Sequence, residues 1–150
     1  MATWAEFAAD QPELAQYGWE LLREDVGYAY LATVTCDALP RVHPVLPFVS
    51  DGRLMISVVA SSPKVADLRE RPHYMLHATV GDNDTEFAVR GRATKVPVEE
   101  HPRLLDEQEL NTVDVHEGDV IFELGIDRAD AAIWDDGAPH RQTWRAPSAR

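Results

Sequence analysis

The sequence predicts a mainly β fold of the α+β class, a small antiparallel β-barrel with peripheral helices. Three observations lead there. From Tyr28 onward, several short runs rich in aromatic and β-branched residues repeat their apolar positions with period two. Tight-turn signals separate them, at residues 37–40, at Ser50-Asp51-Gly52, at Gly81-Asp82-Asn83-Asp84 and at Asp136-Gly137. Helical patterns occur only at the start and as crossovers between hairpins.

The elements follow in order. Thr3-Trp4-Ala5-Glu6 has the spacing of a capping box, and Asp10-Gln11-Pro12-Glu13 marks a second helix start. Leu14, Tyr17, Gly18, Leu21 and Leu22 recur at helical spacing to about Asp25, giving an apolar stripe that covers a sheet edge or barrel end, with Trp4 and Trp19 as packing residues. YAYLATVTC, RVHPVLPFVS and RLMISVV then read as three consecutive strands of a meander. Pro44 and Pro47 cannot donate to a ladder, so they place a strand edge, a bulge or a bend there. A helix over 63–70 stops at Arg71-Pro72, and HYMLHATV with TEFAVRGRATKV makes another hairpin, in which Gly91 marks a bulge. Residues 98–110 are acidic and helical in character, with Pro102 at the start. DVIFELGID is a half-buried strand, and AAIWDD with HRQTWR a last hairpin; residues past Arg145 are expected to fray. No repeat or linker interrupts the chain. A single domain is therefore expected over 1–150, with N-terminal helices in 1–26, a barrel core in 28–96, a helix in 98–110 and closing strands in 119–145.

Composition bounds the function. A chain of 150 residues can bury about two thirds of its unfolded surface. Its 26 acids against 14 bases give a formal charge of −12, which repels nucleic acid and anionic membranes over most of the surface. A small anionic ligand needs only a local cluster of donors. No apolar run is long enough to span a bilayer as a helix, and the acidic N-terminus lacks a signal peptide's basic head. The single cysteine, Cys36, excludes an internal disulfide; a cytoplasmic protein is expected.

Several chemistries find no support. His73 and His77 have the i, i+4 spacing of helical metal ligands. On a strand, though, they stand about 13 Å apart, too far to share one ion. No Gly-x-Ser-x-Gly elbow, phosphate-binding Gly-rich loop or Gly-x-Gly-x-x-Gly is present. Cys36 has no activating base nearby in sequence and is expected to be a small buried residue. No catalytic acid or base can be assigned, and no metal is expected.

The most informative stretch is residues 41–68. Ser62 is a sound N-cap, Pro63 fits the first helical position, and Lys64 adds a positive charge where a helix start already favours an anion. Taken alone, these residues fit either a plain helix cap with a solvent-facing lysine or a phosphate seat.

The order of motifs is more specific. Tyr30-Leu31-Ala32-Thr33-Val34 is followed by Pro40-Arg41-Val42-His43-Pro44-Val45, an aspartate-glycine turn, the apolar strand 54–59, and Ser62-Pro63-Lys64 with Val65, Leu68 and Arg71-Pro72. Over about residues 28–96 this resembles the flavin-binding split-barrel family, the group that includes pyridoxamine 5′-phosphate oxidase. The resemblance implies a six-stranded antiparallel split β-barrel, a homodimer, and a flavin mononucleotide (FMN) in each of two clefts at the dimer interface. It implies an oxidoreductase acting on a small-molecule substrate. Carried over by position, Arg41, Val42, His43, Pro44 and Val45 run along the isoalloxazine ring, with their backbone groups meeting its polar edge. Val42, Val45 and Val58 would line the cleft, and Ser57 and Val58 flank the ribityl chain and phosphate. Ser62 and Lys64, with Ser61, hold the phosphate. Trp144 and Arg145 would reach the cofactor from the partner subunit.

The chain also departs from that family's namesake. Leu46-Pro47 stands where a basic residue is expected, and the C-terminal Arg-rich signature is missing. Oxidation of pyridoxamine phosphate is therefore not expected. Three alternatives remain alongside FMN. One is the deazaflavin coenzyme F-420, whose acidic tail would favour a basic groove built from Arg41, Lys64, Arg69, Arg71, Arg90 and Arg92. Another is a non-catalytic protein holding flavin, haem or another tetrapyrrole. The last is a ligand-free barrel dimer.

Overall fold

The computed structural model describes residues 1–148. Helix α1 (Trp4–Asp10) opens with the expected capping box. The Thr3 hydroxyl accepts from the Glu6 N–H at 3.2 Å, and the Glu6 carboxylate accepts from the Thr3 N–H at 2.7 Å. Helix α2 (Pro12–Leu22) ends short of Asp25, because Asp25 and Gly27 both take positive φ and turn the chain away.

Strands β1 (Ala29–Val34), β2 (Pro40–Val45), β3 (Pro47–Ser50) and β4 (Arg53–Val58) come next, then helix α3 (Pro63–Glu70). Strands β5 (His73–Ala78) and β6 (Glu86–Lys95), helix α4 (His101–Asp106), and strands β7 (Val120–Asp135) and β8 (Ala138–Arg145) complete the chain. All pairings are antiparallel, in the order β2-β1-β5-β6-β7-β4-β3, with β8 added on β7.

The three-strand meander is not what forms. Leu46 interrupts RVHPVLPFVS, so that β2 pairs with β1 at one end of the sheet and β3 pairs with β4 at the other. The prolines explain the break. Pro44 lies on an end strand and Pro47 is the first residue of its strand, both positions where a missing N–H removes no inner ladder bond. With Leu46 alone between them, β2 and β3 are two arms of one bent strand. The bend brings the ends of the sheet together. The barrel thus has six staves, namely the bent strand, β1, β4, β5, β6 and β7, with β8 as an addition.

Three other expectations change. DVIFELGID and AAIWDD are one 16-residue strand, β7, whose first part pairs with β4 and whose last part pairs with β8. Residues 98–110 hold a 3₁₀ turn (Val98–Glu100) and the short α4, with Pro102 in its first turn. The hairpins β3–β4 and β7–β8 turn as expected, on Asp51-Gly52 and Asp136-Gly137, each pair at positive φ as a two-residue type I′ turn requires. Cys36 lies exposed in the β1–β2 turn rather than buried, since β1 ends before it at Val34.

The interior is filled by residues such as Leu31, Ile56, Leu76, Val89 and Phe122. The N-terminal helices cap one end with aromatic rings: Trp4 meets Phe7 edge-on at 5.5 Å, and Phe7 meets Trp144 at 4.9 Å. A second cluster outside the barrel, with Phe48, Met55, Leu104 and Ile121, seats α4. Among the described residues, no helix is long and apolar enough to cross a membrane.

Gly91 is where the bulge falls. The β6–β7 register shifts between Arg90 and Gly91, and a Cβ built on Gly91 would stand 1.9 Å from the Gly125 carbonyl oxygen. Because backbone must move to admit even a methyl group, Gly91→Ala is expected to lower stability by about 2–3 kcal/mol in urea unfolding. An unchanged midpoint would contradict this register.

Candidate functional site

Helix α3 follows β4 after a four-residue loop, 59–62, and starts beside β2. Ser62 takes the N-cap position, with φ −66° and ψ 136°, but its side chain makes no capping bond. Its Oγ instead accepts from Lys64 Nζ at 3.0 Å. The helix start therefore has no side-chain cap, and its positive dipole end stays open to an outside acceptor. Lys64 is half-buried, and burial pushes its ammonium pKa down. A desolvated ammonium whose partner is one hydroxyl gains from an incoming anion.

Strand β2 supplies the second wall. Arg41, His43 and Val45 share the face toward α3, while Val42 and Pro44 point outward. Arg41 Nε lies 3.2 Å from Asp67 Oδ2, and the Thr33 hydroxyl donates to the same oxygen at 2.7 Å. Asp67 is 6% exposed, so its charge is held inside by these two contacts. The closest approach of the carboxylate to the guanidinium is at Arg41 Nε. Two buried polar atoms, His43 Nε2 and Ser57 Oγ, lack any hydrogen-bond partner among the described residues. Asp67 balances Arg41, and His43 is driven toward its neutral form. The uncompensated charge is that of Lys64, next to the helix dipole. The arrangement can hold one compact anion and has open donors around it.

The structure brings Arg41, His43, Ser62 and Lys64 together. Ser61 is exposed on the same loop. Val45 and Val58 differ from expectation: both side chains lie in the core, at 6% and 3% exposure, so only their backbone can face a ligand. The alternation of β2 and β4 directs them inward. Trp144 is likewise a core residue, stacked by Phe7 and donating its indole N–H to Asp10, whereas Arg145 is exposed. The basic residues considered for an acidic tail do not form one groove. Arg90 and Arg92 lie on the outer sheet face, Arg71 pairs with Glu70, and Arg69 lines a separate cavity. Sequence reasoning missed Thr33 and Asp67. The available signal was an acid between Val65 and Leu68, inside the apolar stripe of a short helix. No group of three or more His, Cys, Asp or Glu that could hold a metal occurs among the described residues.

No protein-family model matches the chain, and no curated protein matches it. Solved structures do. It resembles PhzG from Burkholderia lata, solved with tetrahydrophenazine-1-carboxylic acid, at 14% identity and a TM-score of 0.71, over 97% of this chain and 88% of that one. A pyridoxamine 5′-phosphate oxidase-related, FMN-binding protein from Nostoc punctiforme matches at 12% identity and a TM-score of 0.58, over 98% of both chains. An F-420 reductase matches at 24% identity and a TM-score of 0.55, over 75% of this chain and 95% of that one. The chain thus has the split-barrel fold of the pyridoxamine 5′-phosphate oxidase-like proteins.

His43 gives the site a pH signature. Burial, then the charges of Lys64 and Arg41, hold its pKa below the ordinary 6.5, with Asp67 opposing. On acidification the unfolded chain takes up this proton before the native one does. The His43 contribution is therefore complete above about pH 6.5 and is lost as pH falls toward the native value. His43→Gln is expected to flatten the stability profile just below that pH in parallel urea titrations. Identical profiles would remove His43 from this environment.

Proposed function

We propose that the chain binds FMN at this site, works as a homodimer, and is an oxidoreductase acting on a small organic substrate. The observation that carries this reading is the half-buried Lys64 beside an uncapped helix start, with Arg41, the ion-pair partner of Asp67, close by. Lys64, Ser62 and the terminal amino groups of Arg41 would hold the phosphate, with Ser61 at its exposed side. The backbone of Arg41, Val42, His43, Pro44 and Val45 would back the ring. The Ser57 hydroxyl and the Val58 backbone would flank the ribityl chain, and the orphaned Ser57 Oγ and His43 Nε2 would gain partners there. Bound flavin would supply the redox chemistry; these residues bind it, orient it and exclude water.

Energies support this division. Charge-assisted hydrogen bonds contribute roughly 1.5–3 kcal/mol each, so two or three supply about 5–7 kcal/mol. Micromolar affinity needs about 8 kcal/mol beyond ordering costs, and burial of the flat ring must provide the rest. A second copy would supply that cover. The outer sheet face leaves Val42 61%, Tyr30 51% and Met75 39% exposed, on neighbouring strands β2, β1 and β5. Arg145, exposed at the end of β8, is available to reach a cofactor across such a dimer; Trp144, being in the core, is not.

The deazaflavin F-420 is the second reading. One row across that outer face runs Met75, Arg90, Arg128 and Arg145; Asp130 pairs with Arg128, which leaves Arg90 and Arg145 as the cations available to an acidic tail. Side-by-side titration with both cofactors separates the two, and preference for F-420 would overturn the first. Under the FMN reading, Lys64→Ala is expected to weaken FMN binding about tenfold or more, measured by quenching of flavin fluorescence. Unchanged affinity would take Lys64 out of the seat.

A further inference from the structure

A cavity borders the 59–62 loop at Ala60 and is lined by none of Arg41, His43, Ser62 and Lys64. It occupies about 450 Å³ between α4, the 115–120 segment and the end of α3. That is within the roughly 300–1,000 Å³ typical of small-molecule sites. Leu105, Val115 and Val120 give it apolar walls, and Arg69 and Lys95 bring two cations to it.

Neither cation forms an ion pair among the described residues, which is equally true of Arg23, Lys64, Arg90, Arg92, Arg141 and Arg145. What distinguishes Arg69 and Lys95 is that one apolar-walled cavity brings them together. His101 also lines the cavity, and its buried Nε2 has no hydrogen-bond partner among the described residues. Two acids also line the cavity. Asp119 accepts from the His116 backbone N–H at 2.9 Å, which commits that oxygen to its own turn. Glu117 is exposed. Two cations face two acids across an apolar wall, so the cavity can pair an occupant's single negative charge with Arg69 and Lys95 while Glu117 and Asp119 keep the lining from favouring a highly charged one.

We infer that this cavity is a second ligand site, for a small organic acid with an apolar body, such as an arylcarboxylate. Its carboxylate lies at Arg69 and Lys95, its apolar body lies against Leu105, Val115 and Val120, and His101 Nε2 meets its polar edge. Glu117 discriminates against more highly charged anions by like-charge repulsion. Ala60 lines the cavity from the loop that carries Ser61 and Ser62, so the two sites share that loop. The assignment does not rest on the FMN reading.

The test is a fluorine NMR titration of the full chain with para-fluorobenzoate, with the histidine ring signals followed in parallel. Saturable binding is expected, with a shift of the His101 signal and displacement by benzoate. Arg69→Gln and Lys95→Gln, both at exposed positions, should each weaken it about five- to tenfold, and Glu117→Gln should tighten it about twofold. Lys64→Ala should leave it unchanged, so that failure of the FMN seat and failure of this site give different results. Absence of saturable binding would overturn the inference. So would equal binding of para-fluorobenzyl alcohol, or affinity undiminished in both the Arg69 and Lys95 variants.

Discussion

The bend at Leu46 is the constraint on which the rest depends. Two prolines flank it, and each occupies a place where its missing N–H costs the sheet nothing. Without the bend, RVHPVLPFVS would be one strand of a flat meander, and the sheet would keep two free edges. With it, the two arms end up at opposite ends of the strand order and the sheet curls into a barrel. The bend also sets the site. It makes β2 an end strand whose inner face carries Arg41, His43 and Val45 toward α3, and α3 follows β4, the partner of the other arm, after the 59–62 loop.

Charge at the site is organised by Asp67 rather than by the basic residues alone. An uncompensated carboxylate at that depth would be costly. Thr33 and Arg41 make it tolerable, and in return Asp67 fixes the guanidinium through Nε. The consequence is that two cations can sit near each other without both being unpaired. One, Arg41, is balanced internally by Asp67. The other, Lys64, has a hydroxyl for a partner and a helix dipole beside it. His43, between them, is pressed toward neutrality and becomes an uncharged polar group with an unused ring nitrogen.

Much of this was legible in the sequence where the signal is local. The capping box at Thr3 and Glu6, the Asp-Gly turns, the Gly91 bulge and the helix opening at Pro63 depend on residues within a few positions of one another. The ordered resemblance over residues 28–96 carried the barrel. What failed depends on contacts distant in sequence. Which of two alternating faces becomes the core is settled by partner strands, so Val45 and Val58 turned inward and Trp144 went to Phe7 and Asp10. The break at Leu46 required knowing that β3 finds β4 and not β1. Asp67 meets Thr33 across 34 positions, and nothing near it in the chain announces that bond.

The central claim is that Lys64, the open start of α3 and the Asp67-oriented Arg41 form a phosphate seat. The measurement closest to it compares two ligands that share the same ring and differ in the phosphate: FMN and riboflavin, each titrated onto the apo protein and followed by flavin fluorescence. If two or more charge-assisted contacts reach the phosphate, FMN binds about a hundredfold or more tightly than riboflavin, and added salt narrows the gap. Equal affinity for the two would contradict the claim, because the ring alone would then account for all the binding.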